Sequence, residues 1–272
     1  MTVAYPGRDG AHAAAAAERL FPNVAFAPMP SFSAVTDAVA AAEVEFGVLP
    51  IESSLSGPVA ETHDLLYTAP VSITDETILP IRHCLVGPAS VSLPEVRVVH
   101  SHPAALDQCR RLLAAMPWAT AIAAASTADA ARAVAEKGEP AEAAIASERA
   151  AKLHGLAVIA GDVGDHPEAY TRFIAVAPYT RVDRDGASWR TAFSFVTDHK
   201  PGALHRAIEP FAGTGIDLAQ LVSRPIPETP WRYRFDGVLI GHPLDAAVRV
   251  AFAEVAARTR QLHVLGSYPA AG

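Results

Sequence analysis

Short apolar runs alternate with alanine-rich stretches of helical spacing through the first two thirds of the chain. Val3–Tyr5 predicts a strand, Ala11–Leu20 a helix, Val24–Ala27 a strand, Phe32–Ala42 a helix and Phe46–Ile51 a strand. That alternation predicts a parallel sheet whose strands are joined by crossover helices. A second set follows: strands Ile81–Val86 and Arg97–His100, a helix Pro103–Ala115, strand Thr120–Ala124, a helix Ala128–Lys137, then Ala143–Ser147 and Leu156–Ile159. Phe173–Ala177 is a strand near the end of this unit. Residues 179–189 are polar around a central glycine and read as a linker. After them Thr191–Thr197, Leu204–Ala212, Ile216–Val222, Arg232–Ile240, Leu244–Thr259 and His263–Gly266 give the order βαββαβ, a ferredoxin-like unit. The expected organisation is therefore an α/β domain over 1–178, with a second lobe at about 80–158, the linker, and a smaller domain over 190–272.

Composition narrows the function classes. The 272 residues exceed the usual single-domain size of about 100–150, and half of them are hydrophobic, ample for two cores. Net charge is −7 with no basic block, which argues against nucleic acid as a partner. The longest apolar runs fall short of the ~18 residues of a membrane span. Thr2-Val3-Ala4-Tyr5 enters a strand with no basic head before it, so no export signal is expected. Two cysteines, Cys84 and Cys109, fit a reducing cytoplasm better than a disulfide framework. The eleven histidines lack zinc-ligand spacing, and no metal or other cofactor is expected.

Candidate chemistry sits at strand ends. Gly7-Arg8-Asp9-Gly10, Pro50 to Gly57, Ser101-His102-Pro103 and Ser126-Thr127 each follow a strand or precede a helix. In open α/β sheets ligands bind beyond the carboxyl ends of strands, and helix starts offer N–H groups to an anion. Converging ends of this kind suit a small carboxylate. The plainer alternative is that Ser101, Ser126 and Thr127 are helix caps worth ~1 kcal/mol each, and that Glu52 is a loop acid.

At these residues the chain resembles prephenate dehydratase. Pro50-Ile51-Glu52-Ser53-Ser54-Leu55-Ser56-Gly57-Pro58-Val59 resembles the family's Pro-Ile-Glu-Asn-Ser-x-x-Gly-x-Val segment, and Ser101 to Cys109 its Ser-His-Pro-x-Ala-Leu-x-Gln-Cys segment. Thr171-Arg172-Phe173 matches its Thr-Arg-Phe triplet. Pro201-Gly202-Ala203-Leu204 and Ser223-Arg224-Pro225 resemble the effector motifs of the family's C-terminal ACT domain. The resemblance implies a two-lobed, type-2 periplasmic-binding-protein-like domain followed by a βαββαβ ACT domain. It implies decarboxylating dehydration of prephenate to phenylpyruvate on the route to phenylalanine. Thr171 is the implied catalytic residue, donating a hydrogen bond to the leaving oxygen in a dry cleft. The expected substrate contacts are Arg8, Ser53, Ser54, Ser101, Ser126, Thr127 and Arg172. The implied effector contacts, for L-phenylalanine, are Gly202, Ala203, Leu204, Ser223 and Arg224, in a homodimer or homotetramer. Arg172 either neutralises a substrate carboxylate or forms a structural pair with an acid. Phe173 reads as core, and His102 as a structural hydrogen-bonding group. Gly202 is either a site of close ligand approach or a turn glycine.

Departures from the family cluster where substrate is expected. The first loop reads Gly7-Arg8-Asp9-Gly10-Ala11-His12-Ala13 in place of Gly-Pro-x-Gly-Thr-Phe-Ser; Ser53 replaces an asparagine, and so does Ala169. Arg8 and His12 are expected to supply replacement positive charge. In the second domain Val222 precedes Ser223 where the family has glutamate, and His199 stands for an asparagine. Alternatives to the dehydratase are arogenate as substrate, a non-aromatising prephenate decarboxylase, and an amino-acid sensor whose cleft has decayed.

Overall fold

The computed structural model describes residues 1–181, 188–226 and 229–271, so most of the expected linker lies outside the described residues. Lobe one is built from β1 (Thr2–Pro6), α1 (His12–Leu20), β2 (Ala25–Met29), α2 (Phe32–Ala40), β3 (Phe46–Ser53), β4 (Gly57–Pro58), α3 (Ala60–Thr68) and β5 (Ser72–Pro80). Lobe two comprises β6 (Cys84–Gly87), β7 (Val98–Ser101), α4 (Pro103–Asp107), α5 (Arg110–Ala114), β8 (Thr120–Ala123), α6 (Thr127–Lys137), β9 (Glu142–Ala146), α7 (Glu148–His154) and β10 (Ala157–Ala160). The chain then returns to lobe one as β11 (Tyr170–Ala177). The C-terminal segment is β12 (Trp189–Val196), α8 (Ala203–Gly213), β13 (Leu218–Pro225), β14 (Tyr233–Ile240), α9 (Ala246–Arg258) and β15 (Gln261–Pro269).

Both lobe sheets are mixed, a correction to the parallel sheet expected from the alternation. In lobe one β1 runs parallel to β2 and β3, whereas β11 is antiparallel to β3 and β5. In lobe two β7 is parallel to β8 and β9, whereas β6 is antiparallel to β9 and β10. The reversed strands, β11 and β6, are the ones by which the chain enters a lobe after each crossing: outward from β5 into β6, back from β10 into β11. The two crossings touch where the Ile81 amide donates to the Ala169 carbonyl at 2.8 Å.

Each lobe has its own packed cores. In lobe one the alanine face of α1 packs with Val3, Tyr5 and Phe173, and α2 with Leu49 and Val176. In lobe two α6 and α7 pack on Val86 and Ala144 of one sheet face, and Val99, Cys109, Met116 and Ile145 fill the other. The single helix expected over Pro103–Ala115 is broken at Cys109. The cause is tertiary: Asp165, on the returning crossover, accepts the backbone amides of Arg110 and Arg111 at 3.0 Å each, capping a new helix start.

The C-terminal strands lie in the order β13-β14-β12-β15, all antiparallel, which is the ferredoxin-like arrangement. One face carries α8 and α9, whose Phe211 and Val255 pack over Phe193, Phe195 and Leu239. The opposite face, through Ala192, Leu265 and Tyr268, joins the lobe-one core at Ile51, Leu66 and Ile73. The two sheets are continuous at one residue pair, Gly266 with Ile73. Gly266 has φ +148°, and a Cβ there would meet the Ile73 backbone at 2.3 Å, so only glycine permits this approach.

Candidate active site at the lobe junction

Thr171 lies at the root of both crossings. On β11 it pairs with Ser53 of β3 on one side and Leu79 of β5 on the other. It is half-buried, and its hydroxyl has no hydrogen-bond partner among the described residues. Ser54 locks the strand beside it: its amide donates to the Tyr170 carbonyl and its Oγ accepts the Tyr170 amide, both at 2.9 Å. Ser53 Oγ accepts the Leu55 and Ser56 amides at 3.3 and 3.4 Å. Both serines thereby keep their own proton for donation.

The inter-lobe cleft encloses a cavity of about 390 Å³. Gly7, Ala11 and Ser31 line it from lobe one, and His83, Gln108, Ser126 and Thr127 from lobe two. Of the predicted residues the structure thus gathers two groups, Thr171 with Ser53 and Ser54, and Ser126 with Thr127. Thr171 itself is not among the residues lining this cavity. Thr127 has no side-chain partner among the described residues. Ser126 caps α6: its Oγ accepts the Asp129 amide at 3.0 Å and donates to Asp129 Oδ2 at 2.8 Å, so its proton is committed.

Three predicted contacts are corrected. Ser101 is fully buried and donates to the Ile145 carbonyl at 2.7 Å, which ties β7 to β9 and leaves nothing for a ligand. Arg8 is exposed and pairs with Asp129 Oδ1 at 2.9 Å, so its charge is matched within the protein. Arg172 points to the face of β11 opposite Thr171, as alternation along a strand requires. There it pairs with Glu76 Oε2 at 2.8 Å and Glu52 Oε2 at 3.3 Å, the structural alternative rather than the substrate one. Burial opposes the Arg172 charge, but Glu76 and Glu52 outweigh it and raise its pKa.

His12 does not replace a positive charge either. Its Nε2 is buried without a partner among the described residues, and its ring meets His83 edge-on at 6.4 Å. Burial, with a smaller push from His83, lowers its pKa from 6.5 to about 4, so it is neutral near pH 7. Between those values the unfolded chain takes up a proton that the folded chain refuses. This contribution is complete above pH 6.5 and is lost as pH falls toward 4, by about 2 kcal/mol between pH 7 and pH 5. Urea unfolding at the two pH values checks this: His12→Phe is expected to remove about that much of the pH dependence, and an unchanged slope contradicts it.

The sequence reading missed the acids and bases that seat the C-terminal sheet on lobe one. Those on the lobe-one side lie on α3 and β5, elements whose short, mixed patterns gave no clear periodicity. Glu76 has a fully buried side chain and accepts from Arg172, from the Ala271 amide at 2.8 Å, and pairs with Arg190 at 3.5 Å. Asp64 of α3 holds Arg224 and Arg234, each at 2.7 Å. Burial works against the Asp64 charge, but the two arginines keep its pKa below the ordinary carboxylate value. His63 Nδ1 meets Asp236 Oδ2 at 3.2 Å, and Ser194 donates to Asp236 at 2.7 Å. An acid at an inward position of a strand, as in Thr74-Asp75-Glu76, was the available signal.

The predicted effector residues separate. Gly202 has φ +75° and precedes α8, which Ala203 and Leu204 begin; it is a left-handed turn glycine. Ser223 is exposed near the end of the edge strand β13. Arg224 is corrected: its guanidinium is bound to Asp64 of lobe one. β12 and β13 run the same way with β14 between them, so Gly202, which follows the end of β12, and Ser223, near the end of β13, lie toward one end of the sheet.

The family model described as prephenate dehydratase matches residues 3–180. The chain is 34% identical to arogenate dehydratase/prephenate dehydratase 2, chloroplastic, of Arabidopsis thaliana, over 99% of this chain and 73% of that protein. The structure of prephenate dehydratase from Arthrobacter aurescens in complex with L-Phe is similar with TM-score 0.92 and 30% identity, covering 100% of this chain and 90% of that one. GqqA, described as a novel type of quorum quenching acylase, is similar with TM-score 0.91 and 29% identity, covering 100% and 98%.

Proposed function

We propose, from the premise that the chain belongs to the prephenate dehydratase family, that Thr171 at the lobe junction donates the hydrogen bond that lets hydroxide leave from prephenate. The reaction is a carbon–oxygen lyase step. The bond from the ring to its carboxylate breaks and releases CO2. That electron pair completes the aromatic ring, and the ring hydroxyl departs with a proton as water, leaving phenylpyruvate. The observation that carries the assignment is the unengaged Thr171 hydroxyl beside Ser53, where both lobe crossings meet. A hydroxyl is a weak acid, so its work is to stabilise charge developing on the leaving oxygen, an effect strengthened where water is excluded. Thr127, at the start of α6, lines the cleft and supplies a hydroxyl donor for a carboxylate. Ser53 and Ser54 supply donors near Thr171.

The C-terminal βαββαβ is assigned as an ACT-type regulatory domain for L-phenylalanine. The L-Phe complex of the Arthrobacter aurescens relative and the retained Gly202-Ala203-Leu204 turn support this. The resemblance to the family's ACT domains makes a homodimer or homotetramer the expected assembly. Two buried free cysteines suit work in the cytoplasm. Regulation is tested by titrating L-phenylalanine into a prephenate turnover assay. The wild-type rate is expected to change and Gly202→Asp to lose the response. A wild-type enzyme indifferent to L-phenylalanine contradicts the regulatory assignment. Running arogenate in parallel decides the preferred substrate.

A further inference from the structure

A cavity of about 200 Å³ lies between lobe one and the C-terminal sheet. Its aliphatic part holds Leu66, Ile73, Val238 and Leu265 and is flanked by the buried His63–Asp236 pair. Its polar end holds Tyr268, Arg172, Arg190 and Glu52. We propose that this cavity is a binding site for a small aliphatic α-amino acid.

Three observations carry the assignment. Tyr268 is 3% exposed, yet its hydroxyl has no hydrogen-bond partner among the described residues. It lines the cavity together with the Arg190 Nε–H, which is buried with no hydrogen-bond partner among the described residues, and both donors call for an acceptor from outside the chain. Burial, reinforced by Glu76, raises the phenol's pKa, so it remains a donor across the working pH range. Second, the polar end carries both signs of charge. Arg172 and Arg190 face Glu76 and Glu52, and Glu52 is also reached by Gln220 Nε2 at 2.9 Å. A carboxylate suits Tyr268 and the Arg190 Nε–H, an ammonium suits Glu52, and a molecule bearing both leaves the balance of charge intact. Third, the size fits. An apolar cavity of about 150 Å³ takes benzene, so this one holds roughly eight or nine non-hydrogen atoms, a valine, leucine or methionine rather than an aromatic amino acid.

The site is separate from the Gly202 turn. Tyr268 pairs with Arg190 at the start of β12, and Gly202 lies beyond its end, roughly 20 Å away along the strand. Arg172 follows Thr171 in the chain, so occupancy is expected to alter turnover, a consequence that rests on the assignment of Thr171.

Calorimetric titration of the full chain with L-leucine tests the site itself. Binding is expected at one molecule per chain. Removing the ammonium (4-methylpentanoate) or the carboxylate (3-methylbutylamine) is expected to weaken it about tenfold or more, as is Tyr268→Phe. Val238→Phe, which fills the aliphatic end, is expected to abolish binding while cooperative melting is retained, and Gly202→Asp to leave it unchanged. The proposal is overturned by any of three results: no binding of leucine, valine or methionine; equal binding of the acid or amine analogue; or binding that survives both Tyr268→Phe and Val238→Phe. Binding without any change in prephenate turnover upholds the site and contradicts only its coupling to Thr171.

Discussion

Thr171→Ala is expected to lower kcat on prephenate by at least about a hundredfold, the scale of losing one oriented donor to a developing anion. The side chain makes no hydrogen bond within the described residues, so stability is expected to change by less than about 1 kcal/mol. KM is expected to move little, because the donor acts on charge that appears in the transition state rather than on the bound substrate. Thr171→Ser keeps the hydroxyl and is expected to stay within about tenfold of wild type, limited by the serine's extra rotamer freedom. Steady-state kinetics with parallel melting curves separates these cases. An alanine variant of undiminished kcat removes Thr171 from the reaction and moves attention to Ser53 and Thr127.

The largest expected loss of stability follows Glu76→Ala, about 3–5 kcal/mol in urea unfolding. The Glu76 side chain is fully buried and stands between Arg172 of the returning crossover, Arg190 of the C-terminal sheet and the Ala271 amide. Removing the carboxylate leaves two guanidiniums with one remaining acid, Glu52, and a backbone N–H without its acceptor. The damage is expected to appear in two measurements. Unfolding is expected to shift to lower urea, and kcat to fall because Arg172 anchors the strand that presents Thr171. Glu76→Gln keeps the shape and the acceptor oxygen and is expected to cost less. A Glu76→Ala variant within about 1 kcal/mol of wild type contradicts the claim that this carboxylate seats the C-terminal sheet on lobe one.

The parts of the fold legible in the sequence were those governed by local periodicity. The alanine face of α1 and the apolar runs of β1, β3 and β11 carried lobe one, and the βαββαβ order survives with strand ends moved by a few residues. What escaped was set by tertiary contacts. β5 reads Ser-Ile-Thr-Asp-Glu-Thr-Ile-Leu-Pro, and its inward Glu76 looks like a strand breaker until Arg172 and Arg190 are seen around it. The break at Cys109 depends on Asp165, more than fifty residues away in sequence.

The site was legible to a similar degree. Motif position pointed to Thr171 and Ser53, and a helix start to Thr127, but no motif reveals which way a hydroxyl points or which acid has already taken a cation. Ser101, Arg8, Arg172 and Arg224 therefore changed from ligand contacts to internal partners once Ile145, Asp129, Glu76 and Asp64 were placed. Two of the departures from the family pattern are packing changes: Ala13 lies in the α1 core, and Ala169 is buried at the crossing.

The most direct test of the account is the product balance of the wild-type protein acting on prephenate. Prephenate consumption, CO2 release and phenylpyruvate formation are followed together in one reaction. The account predicts equal amounts of all three, with the aromatic product appearing at the rate that CO2 is lost. Release of CO2 with a non-aromatic product, or no consumption of prephenate, contradicts it.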